Sequence, residues 1–363
     1  MQQTILWTQE LPFYPVPPFV DVRIRGSKEA TQEAAQKLLE SGLVAFATET
    51  VYGLGANALD EAALKKVFQA KGRPQDNPLI AHVSSLDQVE MLASSVSARA
   101  QALMEAFWPG PLSILFPVRK QISQVLTAGL DHVAIRMPDH PQALALIHEL
   151  GAPIAAPSAN LSGRPSPTMA HHVLDDLAGR IAGVMDGGSC DVGIESTVVE
   201  LQDDHIVILR PGRIAVSDLS EFGVDVVFDP YLEHGQSPAA PRAPGQKYRH
   251  YAPAGQLTVY IGDDALRLQK AIMDDVQAYR QQGLQVAVLS LEKDFRPDAD
   301  LVWYLGSRES FADIEKNLYK ALRECDARHV DRILAQGVPD TGRYRAVMNR
   351  LYKAAGGNLT IVS

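Results

Sequence analysis

Cysteine is nearly absent. The 363-residue chain has two, Cys190 and Cys325. They stand far apart and outside any Cys-x-x-Cys, which excludes a disulfide framework and a cysteine zinc site. A cationic surplus is also lacking: 34 Lys and Arg face 43 Asp and Glu, a net charge of −9. That argues against a protein whose main work is clamping a nucleic-acid backbone, so no strong direct nucleic-acid binding is expected. Small anionic ligands stay open, because they need only a local cationic site. No run of ~18 apolar residues suggests a membrane span. The opening MQQTILWTQELPFYPVPPF has neither the cationic start nor the continuous apolar core of a secretory signal. The expectation is a soluble, cytoplasmic protein with no membrane partner. Familiar site signatures are missing too. Without GxxxxGK[ST] a Walker-type ATPase has no support, and without GxGxxG neither has a dinucleotide site. HExxH and DxDxDG are absent, so no protein metal site is expected. No GxSxG elbow is present.

What is there reads as α/β. Apolar residues make up 46% and charged residues 21%, enough to bury a core, and the length suits two domains. From Lys28 the chain alternates. AAQKLLESG reads as a helix closed by Gly42, and LVAFA (43–47) as a buried strand. Asp60 can cap a helix with Leu64, Val67 and Phe68 on one face. Ser84 or Ser85 opens another helix. LIAHV, LSILFPV, HVAIRMP, APIAAP and GRIAGVM read as further strands, and ESTVVELQDDHIVILRPG (195–212) as a hairpin around Asp203-Asp204. The mixture predicts a mixed sheet. A Pro/Gly-rich stretch follows, holding the cationic and aromatic KYRHY. Beyond it the alternation resumes with about five strands and helices near 264–282, 311–327 and 343–355, the pattern of a smaller doubly wound domain.

Several segments carry candidate chemistry. ATETVYGLGAN (47–57) places Thr48, Glu49, Thr50 and Tyr52 after a strand, where open α/β sheets bind ligands. Gly53 and Gly55 permit close backbone approach, and an ordinary turn is the competing reading. Lys71 and Arg73 end a helix. They either offset its dipole from exposed positions or cradle a polyphosphate, lysine as point charge and arginine as fork. His82 ends the next strand, and by itself fits a core histidine. Arg136 ends a buried strand and needs a partner, either a ligand carboxylate or an internal acid. APSANLSGRPSPT supplies Ser158, Asn160, Ser162 and Ser166. Glu195-Ser196-Thr197 enters the hairpin and Arg210 leaves it. His171-His172 reads as surface.

In order along the chain, TETVYGLGAN, KGRPQDNPLIAHV, FWPGPLSILFP, VAIRMPDHP, PIAAPSANLSGRPSPT, GIESTVVEL, ILRPG, PGQKYRHYAPAG and MNRLYKAAGGN closely resemble the L-threonylcarbamoyladenylate synthases, YrdC-domain proteins in their long two-domain Sua-type form. The resemblance implies an N-terminal YrdC-like domain over 20–230, with a twisted mixed sheet and flanking helices. It implies a Pro/Gly-rich linker with a KYRHY lid over 231–255, and a C-terminal Rossmann-like domain over 256–363. The implied activity joins L-threonine, bicarbonate or CO2, and ATP into threonylcarbamoyladenylate with release of pyrophosphate. A downstream tRNA threonylcarbamoyltransferase complex then uses the product. Thr50, His82, Arg136, the backbone around Ala156, and Ser196 would face threonine. Lys71, Arg73, Asn77, Ser158, Asn160, Ser166, Arg210 and Tyr251 would face ATP. Lys247, Tyr248, Arg249 and His250 would form the lid, and Mg2+ would arrive with the triphosphate. His132 stands where a small hydroxyl residue is expected, Gln246 where a methionine is, and Arg343-Tyr344-Arg345 where a small, Gly-containing stretch is. Two other readings stand against this one. An RNA-binding module is disfavoured by the charge, and a hydrogenase-type carbamoyl-transfer factor by the missing Cys-x-x-Cys fingers.

Overall fold

The computed structural model describes residues 2–233, 241–244 and 250–362. Gln246 and the lid residues Lys247, Tyr248 and Arg249 lie outside the described residues. The chain divides into two units. The first holds the described residues up to Pro244 except Gly163–Pro165 and Val192–Ile194. The second holds those two short stretches and the described residues from His250 on.

The first unit is built on twelve strands: β1 (Thr4–Thr8), β2 (Val20–Ile24), β3 (Val44–Phe46), β4 (Gly53–Asn57), β5 (Ile80–His82), β6 (Leu112–Pro117), β7 (His132–Arg136), β8 (Ile154–Ala155), β9 (Gly183–Met185), β10 (Thr197–Leu201), β11 (His205–Arg210) and β12 (Asp225–Phe228). They form one sheet in the order β12-β11-β10-β6-β7-β5-β8-β4-β3-β9-β1-β2. The sheet is mixed, as expected: β3–β4, β4–β8, β5–β8, β6–β7 and β10–β11 pair antiparallel, and the remaining pairs are parallel. Reading from Lys28 misses β1 and β2. TILWT in β1 is buried along its whole length, so the sheet begins well ahead of the expected domain start at residue 20.

Both faces of the sheet are covered, so its strands read as apolar runs rather than alternations. Ala45 of β3 packs into one core with Leu54, Leu64, Val67 and Phe68. Its neighbours Val44 and Phe46 pack into another with Leu38, Leu146 and Ile147 from helices Ser27–Leu39 and Pro141–Leu150. Helix Glu61–Lys71 forms where the spacing places it. The Asp60 carboxylate accepts from the backbone of Ala62 and Ala63, and Gly72 ends the helix in the left-handed conformation at φ 60°. The preceding helix stops at Leu39, and Ser41 rather than Gly42 takes the positive φ.

Two expectations are corrected here. Gly53 and Gly55 lie in β4, not in a ligand loop. A Cβ on Gly55 would sit 2.8 Å from Phe46 Cε1 and 2.9 Å from Ile154 Cγ2, so the glycine serves the sheet's own packing. His172 is not a surface residue. It is buried, and its Nδ1 accepts from the Thr168 backbone at 3.2 Å.

The second unit carries β13 (Gln256–Ile261), β14 (Val286–Ser290), β15 (Leu301–Tyr304), β16 (Arg332–Gln336) and β17 (Leu359–Ile361), all parallel, in the order β15-β14-β16-β13-β17. Helix Ala265–Gln281 is capped by Asp264 and lays Leu268, Ile272 and Val276 against Tyr260, Val286, Val288 and Leu334. Helices Phe311–Ala327 and Arg345–Ala355 complete the doubly wound pattern. Of the divergent stretch, Arg343 is exposed, and the Tyr344 hydroxyl donates to the Arg308 carbonyl.

Candidate active site

Sheet order brings the expected threonine residues together. β3 ends into Thr48-Glu49-Thr50, a tight turn in which the Thr48 hydroxyl accepts from the backbone of Thr50 and Val51, both at 3.2 Å. Arg136 ends β7. Its Nη1 donates to the Thr50 hydroxyl at 2.9 Å and its Nε to the Gly110 carbonyl at 3.1 Å. Its Nη2 lies 2.5 Å from Glu49 Oε1. The open question of Arg136's partner thus has an internal answer, the acid of TETVYG. The parallel β5–β7 register sets His82 opposite Arg136. Burial first, and the Arg136 charge second, lower the His82 pKa to about 3, with Arg210 adding to the effect. The ring is therefore neutral at physiological pH.

One strand further, Ser113 of β6 meets Ser196 at the entrance to β10, their hydroxyls 2.8 Å apart. Arg210, the last residue of β11, holds Ser196 twice, Nη2 to the hydroxyl and Nε to the carbonyl, each at 3.0 Å. Ala156 follows β8, and its backbone N–H donates to the Ile80 carbonyl at 2.9 Å. Thr50, His82, Arg136 and Ser196 are buried to 4% exposure or less. In such surroundings their polar contacts are electrostatically stronger than in water.

Of the expected nucleotide residues, Lys71 meets Ser158 and Asn160, and Arg73 meets Asn77, in the same unit, while Arg210 stands with Ser196 in the first group. Lys71 is 2% exposed, which sets aside the reading of a solvated, dipole-offsetting lysine. Its ammonium donates to the carbonyls of Ser158 and Asn160, and its own carbonyl accepts from the Ser162 backbone at 2.9 Å. Ser158 bridges antiparallel to Gly53. Half-buried Arg73 donates through Nη2 to the carbonyls of Asn77 and Pro78 at 3.3 and 3.1 Å. Asn77 is fully buried, yet neither polar atom of its side chain has a hydrogen-bond partner among the described residues. A buried amide left this way is costly, and a ligand would satisfy it. Ser166 is buried and donates to Glu195 Oε1 at 2.5 Å.

Tyr251 belongs to the second unit, at φ 64°. Its ring centroid is 5.5 Å from that of Tyr319, and the Arg350 guanidinium stands 5.6 Å over it. His250 packs beside it at 5.6 Å. His132 begins β7, at the opposite end from Arg136, and pairs with Asp131 at 2.9 Å.

Sequence reading did not single out Ser113, and it gave no role to Gly110 or Glu195. Ser113 is the one polar residue in LSILFP, and that interruption of a buried run was the available signal. Among the described residues no three His, Cys, Asp or Glu side chains gather as a metal site, and no helix is long and apolar enough to cross a membrane. A cavity of about 820 Å³, lined in part by Tyr14, Lys28, His140, Gln142 and Asp186, holds none of the expected site residues.

Comparison with known proteins places the chain in a family. Residues 36–212 match the family model described as "Telomere recombination", and residues 214–356 match that described as "Threonylcarbamoyl-AMP synthase, C-terminal domain". The threonylcarbamoyl-AMP synthase of Bacillus subtilis is 48% identical over 348 residues, covering 94% of this chain and 98% of that protein. That of Pyrococcus abyssi is 45% identical over 337 residues, covering 93% and 97%. Among solved structures, P. abyssi Sua5 complexed with L-threonine superposes with a TM-score of 0.89 at 42% identity, covering 99% of each chain. Matched over nearly its whole length by proteins of one name and one fold, the chain belongs to the threonylcarbamoyl-AMP synthases, enzymes of the nucleotidyltransferase type.

Proposed function

We propose that the protein condenses L-threonine, bicarbonate or CO2, and ATP into L-threonylcarbamoyladenylate, releases pyrophosphate, and so supplies a downstream tRNA threonylcarbamoyltransferase complex in the cytoplasm. The observation that carries this reading is the pairing of two polar groups within one unit. Arg136, Thr50, His82 and Ser196 gather at the strand ends, Lys71 holds the Ser158–Asn160 loop, and Arg73, two residues on, holds the Asn77 carbonyl. The relative solved with L-threonine supports threonine as a substrate.

The chemistry asks for what these residues offer. Threonine's amine captures CO2 as a carbamate, already an anion, so attack on the α-phosphorus needs little general-base help. The barrier is bringing an anion to a polyanion. Arg210, and Arg136 with its Glu49 partner, stand beside a neutral His82. Lys71 and Arg73 place positive charge at the nucleotide group, where charge builds on the leaving pyrophosphate. Catalysis then rests on positioning and electrostatics. The described residues form no acidic cage for Mg2+; the ion would come with the triphosphate, and no step above is assigned to it. In this reading the catalytic domain runs to residue 230 with β1 in its sheet, and the second domain covers 256–363. Residues 231–255 are the linker that carries the KYRHY lid.

The test is pyrophosphate release from ATP, with and without L-threonine and bicarbonate, with serine in place of threonine as control. Release that needs both co-substrates is expected. Lys71→Ala and Arg73→Ala should each slow it more than tenfold, the size of losing about 1.4 kcal/mol of transition-state stabilisation. Release with neither co-substrate would make the protein a nucleotide hydrolase. Near-normal turnover in both variants would remove the cradle.

A further inference from the structure

The mechanism above leaves Glu49 unused. This carboxylate is 7% exposed. Its Oε1 faces Arg136 Nη2 at 2.5 Å. Its Oε2 is buried and has no hydrogen-bond partner among the described residues. Arg136 spends its other nitrogens on Gly110 and Thr50. A buried carboxylate oxygen without a donor is expensive, and such an atom at a ligand site marks where a ligand's donor belongs. Glu195, the other buried acid near this group, already accepts from Ser166.

Charge balance sharpens the argument. Glu49 and Arg136 are neutral as a buried pair. A ligand entering as a simple anion would leave one negative charge uncompensated, and buried charge without a partner is strongly disfavoured. A zwitterion leaves none. Its carboxylate takes Arg136, its ammonium takes Glu49, and one internal ion pair becomes two charge-assisted contacts. We propose that Glu49 receives the α-ammonium of L-threonine, and that the Glu49–Arg136 pair opens to admit a zwitterionic α-amino acid and reject the corresponding hydroxy acid. The proposal rests on the threonine reading of this site. It adds the residue that recognises the amine before the amine is carbamoylated, and it makes Glu49 a specificity residue for α-amino acids.

The experiment is calorimetric titration of the full chain with L-threonine and with (R)-3-hydroxybutyrate, the same molecule without its amine. The wild type should prefer threonine by roughly tenfold to a hundredfold, the span of one hydrogen bond to a charged group. Glu49→Gln keeps the shape and removes the charge, and it should bring the two affinities within about threefold, chiefly by weakening threonine. An equal loss for both ligands, with the preference intact, makes Glu49 a structural partner of Arg136 alone and overturns the proposal. A wild type that binds neither ligand defeats the threonine reading itself, a different result, and the proposal with it. If Glu49→Gln does not fold, Glu49→Asp decides. The carboxylate then sits one methylene back, so the preference should shrink by more than threefold, on the order of 1 kcal/mol. An unchanged preference overturns the proposal.

Discussion

His82 sits opposite Arg136 with the Arg210 charge also acting on it, and its burial makes it a pH-sensitive weakness of the fold. Its folded pKa falls from 6.5 to about 3. The unfolded chain therefore takes up a proton as pH drops below 6.5, while the folded protein refuses one until about 3. The sign follows. Stability is whole above 6.5 and declines across that window, by up to about 1.4 kcal/mol per pH unit from this residue alone. His82→Gln removes the titration. Urea midpoints at pH 7, 5 and 4 should fall less steeply for the variant than for the wild type. Parallel declines would mean that His82 is not held neutral. At this scale the sequence revealed residue types better than partners. The cations at helix and strand ends, Lys71, Arg73, Arg136 and Arg210, were visible because charge in or beside an apolar run is unusual. That Arg136 pairs with Glu49 and Lys71 with two carbonyls was not visible, because those partners lie far off in sequence and meet only through strand order.

The segment from β3 through β4 shows how an element can mislead. VYGLGAN has glycines where a ligand loop would need them, and the sequence pattern alone cannot say which surface approaches. The structure answers with the protein's own atoms. A Cβ at Gly55 would meet Phe46, Ile154 and the Val44 carbonyl, the last at 3.0 Å. All three belong to strands, β3 and β8, and none to the nucleotide group. Gly55→Ala should accordingly overpack the sheet, costing about 1–3 kcal/mol and lowering Tm by several degrees. Threonine affinity should change little if the strand can shift by a few tenths of an ångström. An unchanged Tm with weakened substrate binding would restore the ligand-approach reading. Helices were more legible than short strands. Asp60 and Gly72 bracket their helix with side-chain and backbone chemistry that a sequence displays directly. β1, by contrast, follows no turn signal and precedes a proline-rich stretch, so nothing local marked TILWT as a buried strand.

For the whole molecule, composition set the class and the linker sets the open question. A net charge of −9 and a parallel five-stranded second sheet fit an enzyme handling small anions better than a nucleic-acid clamp. The α/β architecture of both units was legible because periodicity and Gly/Pro punctuation repeat along the chain. The stretch between them lacks periodicity, and there chemistry has to replace pattern. Under the function proposed above, its cations and tyrosines would suit closure over a labile adenylate, which water would otherwise hydrolyse. Tyr251 is already packed against Tyr319 and Arg350 within the second unit. A test of closure should therefore spare it and replace residues 247–250 with glycine and serine. Tm is read alongside, because His250 packs beside Tyr251. Turnover of ATP should continue, and the ratio of hydrolysed by-product to intact adenylate should rise severalfold. Tyr251→Ala, which removes the ring from Arg350, should raise the same ratio and also lower Tm. If the ratio holds steady in the 247–250 variant while Tyr251→Ala changes only stability, the segment is a spacer, and protection of the adenylate must come from the buried strand-end site itself.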